Sequence, residues 1–255
     1  MLFTNMTFIG IDPTAGQKPF AYAALGQNLE LLALGLCSID EVLAFVGGQR
    51  AAVVAVCSPP RPNLGVMNHP EVRAQLSPPP RPGRWTNLRL AEYQLRQRRI
   101  PVFTTPAEAQ ACPRWMRNGF RLYERMAQFD YQPYPRDDHP HQWLEVYPHA
   151  CFTVLANHRP FPKHTLEGRL QRQLILYQLK LGISDPMLFF EEITRHRLMQ
   201  GILPLENLYT AMELDALVAA YTARVAALQP DQVILLGDTE EGQITLPVPE
   251  LKPYY

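Results

Sequence analysis

Ala51 to Val56 is an unbroken run of small and branched apolar residues, closed by Cys57-Ser58-Pro59-Pro60. A strand with one face in water alternates apolar and polar residues, so a run without alternation predicts a strand covered on both faces. Such a strand belongs inside a sheet with helices above and below. The neighbouring sequence agrees. Met6 to Ile11 reads as another apolar strand with Asp12 at its end, and the turn Asp12-Pro13-Thr14-Ala15-Gly16 leads to Phe20 to Leu25 as a returning strand. Leu29 to Leu36 reads as a third strand. Ser38 stands three residues before Glu41, the spacing of a capping box, and starts a helix through Val46. Apolar strands joined through a helix predict a mixed α/β sheet with helical layers.

Further along, Pro59 to Gly83 is so rich in proline that regular structure is not expected there, and residues 59–84 read as a long loop or lid. Helices are predicted over Thr86 to Arg99, Pro113 to Phe129, His164 to Leu181 and Asp185 to Met199, with a strand at Pro101 to Phe103. Met116, Phe120, Tyr123 and Ala127 recur at helical spacing and read as a core stripe. Gln142 to Tyr147 reads as a strand with Trp143, Glu145 and Tyr147 on one side, and Pro148 is suited to open the next helix. Thr210 and Glu213 form a second capping box before Ala211 to Leu228, which is apolar on nearly every side and so predicted to lie between layers. Gln232 to Leu236 and Gln243 to Leu246 read as a closing strand pair.

At 255 residues the chain suffices for one large α/β domain, taken as residues 1–255. Cys37, Cys57, Cys112 and Cys151 are scattered with no CxxC pair, which argues against a zinc site or a disulfide framework and for a reduced, cytoplasmic protein. No leader and no membrane span are expected, and the oligomeric state is not legible. Formal charge balances at zero, so nucleic-acid binding would depend on local patches. Candidates are Ser77 to Arg84 with Arg89, Arg96, Arg98 and Arg99, and the group Lys163, Arg169 and Arg172; solvated helix faces are the plainer alternative. The cluster Asp137-Asp138-His139-Pro140-His141 reads as a polar loop, since Pro140 separates the histidines.

Three acids carry the chemistry. Asp12 ends an apolar strand, Glu145 lies on another, and Asp215 sits on the buried helix without the local capping role of Glu213. A buried carboxylate needs a cation, a donor or a proton. Asp12 is alternatively a turn cap, Asp215 and Glu145 alternatively arginine partners, and Cys57 a small apolar residue rather than a nucleophile served by His69 or His149. If Asp12, Glu145 and Asp215 converge, Mg2+ or Mn2+ suits the all-oxygen set and would support phosphodiester hydrolysis.

Phe8-Ile9-Gly10-Ile11-Asp12, Val53-Val54-Ala55-Val56-Cys57-Ser58-Pro59, Leu144-Glu145-Val146-Tyr147-Pro148, Lys163, Gly168-Arg169, Glu213 to Ala220 and Gly237 to Ile244 occur in a characteristic order. Together they resemble the predicted ribonuclease-H-like nucleases of domain-of-unknown-function family 429, over nearly the whole chain. The resemblance implies a ribonuclease-H-like fold, with strand-end and helix acids around a divalent metal and a nuclease activity on nucleic acid. On that reading Asp12, Glu145 and Asp215 are metal ligands, and Lys163 or Arg169 holds the scissile phosphate. One departure is Cys57, where the family pattern usually has an aspartate. A soft thiol substitutes poorly for carboxylate around magnesium. That favours one metal over two, and raises the alternative of a weak or inactive member that binds a cation, nucleotide or partner in the same acidic pocket.

Overall fold

A computed structural model describes residues 6–81, 83, 85–136 and 138–255. The described strands are β1 (Thr7–Pro13), β2 (Phe20–Leu25), β3 (Leu31–Cys37), β4 (Ala52–Val56), β5 (Gln132–Pro133), β6 (His141–Val146), β7 (Ile234–Asp238) and β8 (Gly242–Leu246). They form one mixed sheet in the order β3-β2-β1-β4-β6-β8-β7, with β5 on β6. β1, β2 and β3 are antiparallel neighbours, whereas β1, β4, β6 and β8 run parallel and β7 returns antiparallel on β8. The unalternating run of β4 is central, and all five of its residues are buried.

Nine helices are described: α1 (Ile39–Gly47), α2 (Pro70–Ala74), α3 (Leu90–Gln97), α4 (Arg114–Ala127), α5 (Pro148–Ala156), α6 (Leu166–Gln178), α7 (Leu188–Glu191), α8 (Arg195–Met199) and α9 (Ala211–Leu228). Ile9, Ile11, Val54 and Val56 face one core with α1 and α4, while Phe8, Val53 and Ala55 face the other with α5, α6 and α9. α9 crosses β1, β2 and β4 and is capped by Thr210 and Glu213 as its sequence predicts. Its approach depends on Gly10. A Cβ there would overlap the Ala216 carbonyl oxygen and the Ala220 nitrogen, so strand and helix backbones meet directly.

Several expectations need correction. Pro70 opens the short helix α2 inside the proline-rich stretch, because proline suits a first helical position. That stretch is also tied down: the buried Glu241 carboxylate accepts from the amides of Leu64, Val66 and Leu90. Pro82 and Arg84, part of the proposed basic stretch, lie outside the described residues, as does Asp137. α3 starts at Leu90 rather than Thr86. Pro101 to Phe103 is not a strand, and Phe103 is instead 61% exposed. The helix expected over Asp185 to Met199 is two, because the Thr194 side chain caps a new start by accepting from Arg197 N. The core stripe of α4 is Met116, Gly119, Leu122, Tyr123 and Met126, with Ala127 exposed.

Candidate functional site

Phe8, Gly10 and Asp12 alternate onto the α9 side of β1, which aims Asp12 toward the first turns of α9. Asp215 waits there, 3% exposed, with Asp12 at 9%. Lys163, just before α6, closes on the pair: its Nζ lies 2.6 Å from Asp215 Oδ2. Cys57 completes the floor, donating its amide to the Ile11 carbonyl at 2.8 Å and its thiol to the Asp215 carbonyl at 3.6 Å.

Charge and burial act together on these groups. Burial, then the neighbouring Asp215, push the Asp12 carboxyl well above the usual carboxylate range, against the pull of Lys163. Burial depresses the Lys163 ammonium, but Asp215 and Asp12 outweigh it and hold the ammonium above its ordinary value. Burial and both acids push the Cys57 thiol up. A thiol held protonated is no nucleophile.

Glu145 does not join this cluster. Ile11, Val56 and Glu145 lie side by side in register across β1, β4 and β6, so Glu145 shares the face of Ile11, opposite to that of Asp12. Its carboxylate takes both terminal nitrogens of Arg89, one at 2.9 Å, and Arg89 Nε reaches Glu92 at 3.1 Å. All three side chains are buried, and Glu92 also accepts from Thr105. The expected three-carboxylate set is therefore corrected to two acids and a lysine. No group of three or more His, Cys, Asp or Glu side chains placed for a metal occurs among the described residues.

Several arginines of the basic patches are engaged within the fold. Arg89 is interior, Arg96 donates to Val102 O and Thr104, and Arg98 bonds Gln94 O. Arg169 straps the segment before α9, donating to the carbonyls of Tyr209 at 2.8 Å and Leu208 at 2.7 Å, so those donors are committed to the fold. His139 and His141 bond backbone carbonyls at the start of β6.

A cavity of about 530 Å³ opens over the acids. Asp12, Asp215 and Lys163 line one part, and Phe103, Trp115 and Tyr147 another. His149 and Arg172 also line it, and His149 Nε2 and Arg172 Nε are buried without a hydrogen-bond partner. Burial, then Arg172, Arg159 and Lys163, push the His149 imidazole down to about 4, leaving it neutral near pH 7. The aromatic wall was not singled out for function from sequence, whereas Arg172 entered only as part of a basic patch and His149 only as a base for Cys57. The available signal was Pro148, which places His149 in the first turn of α5 beside the acidic strand ends.

No helix among the described residues is long and apolar enough to cross a membrane. No curated protein matches the chain, and no solved structure matches it either. The family described as Protein of unknown function (DUF429) matches residues 10–241, from the glycine under α9 to the glutamate that ties down the proline-rich stretch. With that span covered, the chain belongs to the DUF429 family.

Proposed function

We propose that the protein is a ribonuclease-H-like, divalent-metal-dependent nuclease whose cation site is Asp12 and Asp215. The observation that carries this is the meeting of two buried carboxylates, from a central strand and the helix packed across it, at the floor of an open cavity. Hard oxygen donors suit Mg2+ or Mn2+, and magnesium is commonly held by one or two carboxylates with water and substrate phosphate supplying the rest. Two acids therefore fit one such ion, and a two-metal arrangement finds no third carboxylate there among the described residues. A cation bound there polarises a phosphoryl oxygen and lowers the pKa of bound water. Lys163 pairs with Asp215 and adds positive charge for a phosphate, the role that Arg169 gives up to its carbonyl partners. The four free, buried cysteines support a reducing, cytoplasmic setting.

The test is a Mn2+ titration followed by melting temperature, with Asp12→Asn as control, and then a nuclease assay across DNA and RNA forms. At a hundredfold excess over Kd, binding adds about 2.7 kcal/mol, or about 5–11 °C in Tm for a chain of this size. The variant loses that rise and any turnover. A flat response in the wild type defeats the proposal. A second reading is a catalytically weak binding protein using the same pocket, favoured by the neutral thiol of Cys57 and by the ammonium already seated on Asp215. A saturable Tm rise with no cleavage selects it.

A further inference from the structure

Arg172 is 1% exposed, yet no carboxylate among the described residues lies within ion-pair distance of it. Its Nη1 donates to the carbonyls of Phe161 at 2.7 Å and Gly168 at 3.2 Å, and its Nε has no partner. A buried guanidinium without an anion is costly, because desolvation is not offset by a counter-charge. The same cavity is lined by His149, whose Nε2 is also unpartnered, and by the exposed Arg159. Two guanidiniums and an imidazole thus line one space, with Arg172 Nε and His149 Nε2 unpartnered. The aromatic part of the lining is equally unmatched. Phe103, 61% exposed, lies 5.6 Å from Trp115 and 6.4 Å from Tyr147 between ring centroids.

We propose that this cavity binds a nucleoside monophosphate unit, its phosphate against Arg172 and His149 and its base on the Phe103–Trp115 surface. Aromatic faces accept any base, and the charge-assisted guanidinium donors of Arg172 and Arg159 suit a phosphate. The inference rests on the phosphodiester reading and narrows it: a base paired and stacked in a duplex cannot enter a cavity, so the unit is free or belongs to a single strand. A volume of about 530 Å³ is suited to one such small unit.

The experiment is calorimetric titration in EDTA with adenosine 5′-monophosphate, adenosine, inorganic phosphate, a 5′-phosphorylated single strand and a blunt duplex. The monophosphate should bind about tenfold or more tighter than adenosine or phosphate alone. Phe103→Ala should weaken the monophosphate about tenfold while sparing phosphate, and His149→Gln should weaken both. Arg172→Lys, which keeps the buried charge, should bind more weakly because the forked donors are lost. A single strand that matches the monophosphate identifies a strand end as the source, and a preference for the free nucleotide identifies a small molecule; each supports the proposal. Monophosphate binding no tighter than adenosine, or indifferent to both Phe103→Ala and His149→Gln, overturns it. Because EDTA removes the cation, absent Mn2+-dependent cleavage defeats the nuclease reading alone, whereas cleavage without this binding defeats the present inference alone.

Discussion

Replacing Arg89 with methionine tests the most consequential correction, that Glu145 is a structural acid. The substitution keeps most of the aliphatic stem and removes the cation bridging Glu145 and Glu92, whose side chains are 3% and 2% exposed. Breaking a buried pair by removing one partner costs about 3–5 kcal/mol, or about 6–20 °C in Tm for a chain of this size. The loss has a pH signature. Burial already pushes the Glu145 carboxyl up while Arg89 pulls it down, so in Arg89→Met the folded-state value rises further above the unfolded one. The unfolded chain then releases its proton first, and stability falls as pH rises through the carboxylate range. Urea denaturation should therefore show the deficit in full at pH 8 and much reduced at pH 5. Adding Glu145→Leu should restore most of it, a coupling that a double-mutant cycle measures. A loss under about 1 kcal/mol that ignores pH would mean a screened surface pair and would refute the argument. So would loss of the Mn2+ response in folded Glu145→Gln, since the proposed ion site consists of Asp12 and Asp215.

Gly10→Ala should destabilise by about 3 kcal/mol or more, the upper range for overpacking, because both clashing atoms are α9 backbone; a cost below about 1 kcal/mol in denaturant titration would show that α9 has room to move. Cys57→Asp brings a third carboxylate to Asp12 and Asp215, where a charge pair about 4 Å apart repels by about 4 kcal/mol at an effective dielectric of 20. Metal-free Tm should fall and Mn2+ affinity should rise, and calorimetry showing unchanged affinity would remove Cys57 from the site. The His149 imidazole is held down to about 4, below its ordinary 6.5. Between those values the unfolded chain binds a proton that the folded one refuses, so stability is full above pH 6.5 and declines by about 2 kcal/mol toward pH 4, allowing for solvent screening. His149→Gln should remove that slope from the stability–pH profile, and an unchanged profile would assign it to other groups.

The elements of the fold were legible where one local force dominated. β4 follows from its unalternating apolar run, α1 and α9 from their capping boxes, and α5 from Pro148 at its first position. β5 was not legible, since two residues carry no period and pair with Gln142 and Trp143 on the edge of β6 opposite β4, where β8 reaches only Glu145 and Val146. Pro101 to Phe103 looked like a strand by composition, but it pairs with none of the described strands.

The site was legible in part for a related reason. Alternation along one strand gives a face only relative to that strand, and whether Asp12 and Glu145 share a face depends on register between strands. Once Ile11, Val56 and Glu145 align, Glu145 must turn from Asp12, and a buried acid there requires its own cation. Arg89, within an arginine-rich run, gave no local sign of filling that need. Asp215 was different: an acid on a helix apolar all round needs a partner, read from sequence as an arginine or a metal ion, and where Gly10 lets α9 touch β1 it meets a lysine. Lys163 meets the first demand by itself. Asp12 has no side-chain hydrogen bond from the described residues, and burial and then Asp215 drive its carboxyl up, so it is the group that the proposed cation would relieve.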